Sequence, residues 1–192
     1  MKIIVDIGHA RDTGARGNGL EEHAVSEGIS KELVRELREA GYEVVELDFP
    51  HLSNAKDLEA TIKEANRLRD GIGISLHCDS ASHWVGEGKE SHEEANPKPH
   101  GGHVCYYPGS SNGRKLAEAV GARLGSLLPG RAEVVVGRKD LAVLRRTRPV
   151  WVLCECGFIT NPGDAEMMRK HPEKIARAIS EGVKDYLKYG RV

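Results

Sequence analysis

Two imidazoles and two carboxylates stand at points of this sequence where apolar runs end, and together they could form a hydrolytic centre. His9 follows Ile3-Ile4-Val5-Asp6-Ile7 and a glycine, and His77 closes the run from Ile72 to Leu76. Glu155 lies inside Val150-Trp151-Val152-Leu153-Cys154-Glu155-Cys156-Gly157, and Glu22 opens a long amphipathic stretch. A hydrolytic zinc site takes three protein ligands of the His, Asp or Glu kind and leaves a fourth position for water, whose pKa the metal lowers to roughly 7. A further carboxylate, not a ligand, then takes a proton and passes it to the leaving amine. His9, Glu22 and His77 suit the ligand roles, and Glu155 suits the acid/base role. Singly, each has a plainer reading: a histidine at a strand end is commonly a hydrogen-bonded loop residue, and an acid in a first helical turn offsets the helix dipole. Glu155 is harder to set aside, because a carboxylate in so apolar a run is costly unless paired or used. Strand alternation places it on the face opposite Cys154 and Cys156.

The elements that must position these groups follow from periodicity. Short apolar runs alternate with longer amphipathic stretches, the pattern of an α/β domain with a twisted, largely parallel or mixed sheet flanked by helices on both faces. The runs predict strands over Lys2–Ile7, Glu43–Leu47, Ile72–His77, His103–Tyr107 and Val150–Cys156, with shorter ones over Val134–Val136 and Leu141–Leu144. Helices are expected over Glu21–Ala40, Ala55–Arg69, Gly113–Leu128, Gly163–Arg169 and Glu173–Lys188. Val25, Ile29, Leu33, Val34 and Leu37 form one face of the first helix, which Gly41 ends. Asn161-Pro162 supplies a capping residue before a proline at a first helical position. In open parallel sheets, ligands gather at the carboxyl ends of the strands, and there these strands deliver His9, His77 and Glu155. From Ser82 to Gly102 there is no periodicity, and that segment is expected to be an irregular insertion, functional or mobile.

Bulk properties exclude several function classes. The chain of 192 residues fits one domain, 1–192. A formal net charge of -1 offers no global field for nucleic acid or anionic lipid, and the basic residues between Arg138 and Arg148 read as a solvated face. No stretch approaches the ~18 apolar residues of a membrane helix. The start of the chain lacks the apolar region and cleavage site of a secretory signal, so synthesis in the cytoplasm without a signal peptide is expected. Cys78, Cys105, Cys154 and Cys156 lack C-x-x-C spacing and read as reduced core cysteines.

Five motifs carry a family resemblance. Asp6-Ile7-Gly8-His9 resembles the D-x-G-H opening of the zinc-dependent N-acetylmuramoyl-L-alanine amidases of the amidase-3 type. Gly14-Ala15-Arg16-Gly17-Asn18-Gly19-Leu20-Glu21-Glu22 is similar to the family's G-A-x-G-x-G-x-x-E, and Ile74-Ser75-Leu76-His77-Cys78-Asp79-Ser80-Ala81 to its I-S-x-H-x-N-A. Gly102-His103-Val104-Cys105-Tyr106-Tyr107 resembles its G-x-x-x-Y-Y strand, and Glu155-Cys156-Gly157-Phe158-Ile159-Thr160-Asn161-Pro162 its E-x-G-F-x-[ST]-N-P. The resemblance implies Zn²⁺ held by His9, Glu22 and His77, a catalytic Glu155, and peptidoglycan as substrate, cut between the lactyl group of muramic acid and L-alanine. It implies action on the cell wall, as an endolysin or a sporulation lysin acts. The chain departs from the family at Ile7 (usually Pro) and at Leu47-Asp48, where a basic residue is usual. A third departure is Lys63-Glu64-Ala65-Asn66, which lacks the arginine usual before A-N. None removes a ligand. The alternatives are an inactive peptidoglycan-binding module of the same fold and a thiol hydrolase using Cys154 or Cys156.

Overall fold

The computed structural model describes residues 2–85 and 92–190. Ten strands and six helices follow in the order β1 (Lys2–Ile7), β2 (Arg16–Gly17), β3 (Leu20–Glu21), α1 (Glu22–Glu39), β4 (Glu43–Leu47), α2 (Asn54–Leu68), β5 (Ile72–Asp79), β6 (Ser82–Val85), β7 (His92–Ala95), β8 (His103–Tyr106), α3 (Ser111–Leu127), β9 (Val135–Gly137), α4 (Ala142–Arg146), β10 (Val150–Phe158), α5 (Pro162–Lys170) and α6 (Pro172–Tyr189). Six strands make one sheet in the order β4-β1-β5-β10-β8-β9. The first four run parallel, β8 is antiparallel to β10, and β9 is parallel to β8. The carboxyl ends of β1, β5 and β10 and the amino end of β8 therefore share one rim.

Both faces of the sheet are covered, which is why its central strands are apolar throughout rather than alternating. Ile3 and Val5, Ile74 and Leu76, and Val152, Cys154 and Cys156 join Ile29, Leu33, Leu116, Val120, Ile175 and Ile179 of α1, α3 and α6 in the larger core. Ile4, Trp151, Leu153 and Cys105 project the other way, onto Ala65 of α2 and Val143 and Leu144 of α4. This second cover is smaller, and beyond it the same face carries Asp6, Ser75, His77 and Glu155. Gly73 belongs to the close packing there: a Cβ on it would lie 2.0 Å from the Trp151 ring.

Two expectations fail. Leu141–Leu144 is no strand but the start of α4, with Val143 and Leu144 both buried on the second core. A four-residue apolar window satisfies the helical and extended periods equally, and contact with α2 and Trp151 decides it. The segment from Ser82 to Gly102 is not wholly irregular: β6 and β7 pair antiparallel, Ser82 with Ala95 and Val85 with His92. All of β7 and most of β6 are exposed, so no apolar alternation marked them in the sequence. Gly86, Glu87 and Gly88 of that segment lie outside the described residues. Among the described residues, no helix is long and apolar enough to cross a membrane.

Two helical glycines separate intrinsic propensity from packing. A Cβ on Gly182 of α6 would stand 2.4 Å from the Val120 backbone of α3, whereas one on Gly28 of α1 meets nothing within 4 Å. Gly182→Ala should destabilise by about 1–3 kcal/mol through overpacking, and Gly28→Ala should stabilise by up to about 1 kcal/mol through helix propensity. Urea unfolding of the two variants checks both signs.

Candidate active site

The rim brings His9, Glu22 and His77 together. Their donor atoms lie within 4.8 Å of one another, and among the described residues no other His, Cys, Asp or Glu group does this. Glu22 is the centre of the cluster, 2 % exposed in the first turn of α1. Its Oε1 accepts the Cys78 N–H at 3.0 Å and lies 3.0 Å from His77 Nδ1. Its Oε2 accepts the Ala15 N–H at 2.7 Å and lies 3.4 Å from His9 Nε2. Two glycines make this crowding sterically feasible. A Cβ on Gly8 would fall 2.4 Å from the His77 ring, and one on Gly14, at φ +84°, would fall 2.7 Å from Glu22 Oε2.

The partner on the outer nitrogen fixes the orientation of His9. Its Nδ1 is 3.1 Å from Asn54 Oδ1, so Nδ1 carries the hydrogen and Nε2 turns its lone pair to the cluster. Beneath His77, the buried Asp6 accepts hydrogen bonds from Thr61 (2.8 Å) and Ser75 (2.5 Å), and Trp151 Nε1 donates to Ser75 at 2.9 Å. Asp48, where the resemblance leads one to expect a base, pairs with His23 at 3.0 Å. Asn54 and Ser75 were not singled out from the sequence. Asn54 looks like an ordinary residue at a helix start, and nothing local links it to a histidine 45 positions away.

Glu155 stands beside His77 in the β5–β10 register. The register then shifts before Phe158, where Gly157 adopts φ +107°. The Glu155 Oε2 atom is buried without a hydrogen-bond partner among the described residues. Burial pushes its carboxyl up to about 7 against the opposing charge of His77. Burial also works against a charged His77, yet the Glu22 hydrogen bond and the charges of Glu155, Glu22 and Asp6 outweigh it and raise the imidazole to about 9. Glu22 is held below its ordinary value because its bonds and charges from His77, His9 and the Ala15 N–H outweigh burial. His9 is lowered, by burial first. An open groove of about 360 Å³ gives access to Glu22, His77, Asp79 and Glu155.

The donor set fits zinc. Two imidazoles and a carboxylate are the ligand types of a hydrolytic zinc site, and one donor atom from each lies within 4.8 Å of the others. The cysteines do not suit a nucleophile's role. Cys154 and Cys156 are 0 % exposed, and burial raises both thiols well above their ordinary value.

With no cation bound, protons balance the charges of the site, which fixes the sign of its pH dependence. The folded value of His77, about 9, exceeds its ordinary 6.5, so its contribution is complete below the lower value and is lost as pH rises to the upper. Glu155, raised from 4.5 to about 7, also loses stabilisation with rising pH. Urea unfolding in chelator should show stability falling between about pH 7 and pH 9, above the range in which the lowered His9 and His103 act in the opposite sense, with His77→Gln removing that slope. A rise over that range would contradict these assignments.

The family model described as N-acetylmuramoyl-L-alanine amidase matches residues 3–185. The chain is 27% identical over 191 residues to the N-acetylmuramoyl-L-alanine amidase LytC of Bacillus subtilis, covering 96% of this chain and 35% of LytC. It is 29% identical to the uncharacterized protein YqiI of the same organism, covering 96% of this chain and 84% of YqiI. In three dimensions it resembles the CwlD amidase of Clostridioides difficile with a TM-score of 0.83 at 20% identity, over 97% of this chain and 98% of that one.

Proposed function

The chain belongs to the N-acetylmuramoyl-L-alanine amidase family, and on that premise we propose that residues 1–192 form one catalytic domain that uses zinc to hydrolyse the amide between the muramic acid lactyl group and L-alanine of peptidoglycan. What carries the reading is the convergence of His9, Glu22 and His77 within 4.8 Å, beside the unpartnered Glu155 Oε2. His9 would bind zinc through Nε2, His77 through Nδ1, and Glu22 through a carboxylate oxygen. When bound, the ion supplies positive charge that polarises the amide carbonyl and acidifies water.

The remaining work falls to this chain's own groups. Asn54 holds the His9 ring, and the Ala15 and Cys78 N–H groups hold Glu22, so the ligands meet a cation already oriented. Glu155 accepts the proton of the attacking water and delivers it to the leaving nitrogen, which departs as the amine of L-alanine. An acid/base with a value near 7 suits both halves of that task. The binding-module alternative lacks support, since no functional position is missing, and the thiol alternative is opposed by the burial of Cys154 and Cys156.

The roles are separable by substitution. Chelation should abolish turnover of purified peptidoglycan and Zn²⁺ should restore it, while His9→Ala or His77→Ala should lose the metal. Glu155→Gln should keep zinc stoichiometry and lose roughly 10²–10⁴ in rate, whereas Glu22→Gln should weaken metal binding and activity together. Full activity of exhaustively metal-free enzyme would sink the reading, and metal loss from Glu155→Gln with retention in Glu22→Gln would reverse the two assignments.

A further inference from the structure

Glu155 has His77 of β5 on one side and, on the other, β8 and then β9. His103 faces Glu155 directly in the β8–β10 register, is only 4 % exposed, and has an Nδ1 atom with no partner among the described residues. Beyond it lies Arg131, four residues before β9.

Arg131 differs from the ion-paired surface arginines. Its guanidinium carbon lies 5.3 Å from the centroid of the buried Phe158 ring, and its Nε is buried with no acceptor among the described residues. Phe158 is the β10 residue paired with Asp79, two positions beyond His77. The corner beneath the guanidinium is rigid. One oxygen of the buried Asp164 accepts both the Phe158 N–H (2.8 Å) and the Gly101 N–H (2.7 Å). A Cβ on Gly101 would come within 2.9 Å of the Arg131 backbone nitrogen, so the two segments touch backbone to backbone. Arg131 also borders a cleft of about 450 Å³ with Lys98, His100 and Glu133. The neighbouring Arg138 has its fork filled by Asp140, at 2.8 and 2.6 Å.

A guanidinium set on an aromatic floor, which makes no ion pair among the described residues although its charge is felt by Asp79 and His103, suits recognition of a planar anion. We propose that Arg131 binds a carboxylate of the stem peptide on the leaving-group side of the scissile amide, so that it selects among peptides by their charge. This rests on the amidase reading and on Glu155 as the proton donor. The carboxylate has two sources: the one left free on the second stem residue, or one further along the peptide.

Three soluble muropeptides separate them: one with every carboxylate free, one amidated only at the second residue, and one amidated only beyond it. Amidating the recognised group should lower kcat/KM of the wild type by about tenfold to a hundredfold, the range of a charge-assisted hydrogen bond. In Arg131→Gln that discrimination should shrink to about twofold or less, and Arg131→Lys, which keeps the charge but not the fork, should fall between. Comparison of thermal melting with the wild type shows whether each variant is folded, and Arg131→Lys carries the test if Arg131→Gln is not. Equal discrimination in wild type and folded variant, or a wild type indifferent to both amidations, overturns the carboxylate subsite while leaving the amidase reading intact. A wild type that cleaves none of the three substrates removes the amidase reading and the subsite with it.

Discussion

A buried carboxylate between two imidazoles is the constraint from which the rest of the site follows. Glu22 is almost fully removed from water, a placement that costs several kcal/mol unless its charge is met. It is met from three directions: by the Ala15 N–H of the glycine-rich loop, the Cys78 N–H of β5, and the rings of His77 and His9. Those partners come from the loop after β1 and from β5, so satisfying one side chain of α1 fixes the relative positions of three segments. Gly8 and Gly14 belong to the same constraint, since a side chain at either would occupy the space of the cluster.

The charge balance of that cluster explains its tuning. Burial raises Glu155 to about 7 against the charge of His77, while the Glu22 hydrogen bond and the charges of Glu155, Glu22 and Asp6 raise His77 to about 9 against burial. Burial favours the neutral form of Glu155, and a divalent cation nearby would favour the ionised one. A value near 7 suits the acid/base role proposed for Glu155. Asp6 sets the floor of this arrangement with hydroxyls, not a basic side chain: Thr61 and Ser75 bond it, although burial still raises its carboxyl.

Much of this was legible in the sequence where a residue's own neighbourhood carries the signal. The strands Lys2–Ile7 and Glu43–Leu47 and the five long helices were visible because their apolar periods are long and their ends are punctuated by glycine, proline and capping residues. His9, Glu22, His77 and Glu155 were visible because each interrupts or ends such a run. What could not be read was non-local or two-sided. The Asn54–His9 bond spans 45 positions, the nitrogens of His103 and Arg131 that lack partners among the described residues depend on β8 lying beside β10 and β9 beside β8, and the β6–β7 ribbon has no buried face to pattern it. The short helix α4 was mistaken for a strand because two adjacent buried residues carry no period.

The chemistry of the products bears most directly on the account. Purified peptidoglycan should be digested to completion with the zinc-loaded protein, its new amino termini labelled and identified by mass spectrometry, and its reducing sugars counted in parallel. The account predicts new N-terminal L-alanine, matched one for one by muramic acid bearing a free lactyl carboxylate, with no increase in reducing ends. New reducing ends, or new amino termini on any residue other than that alanine, would contradict it.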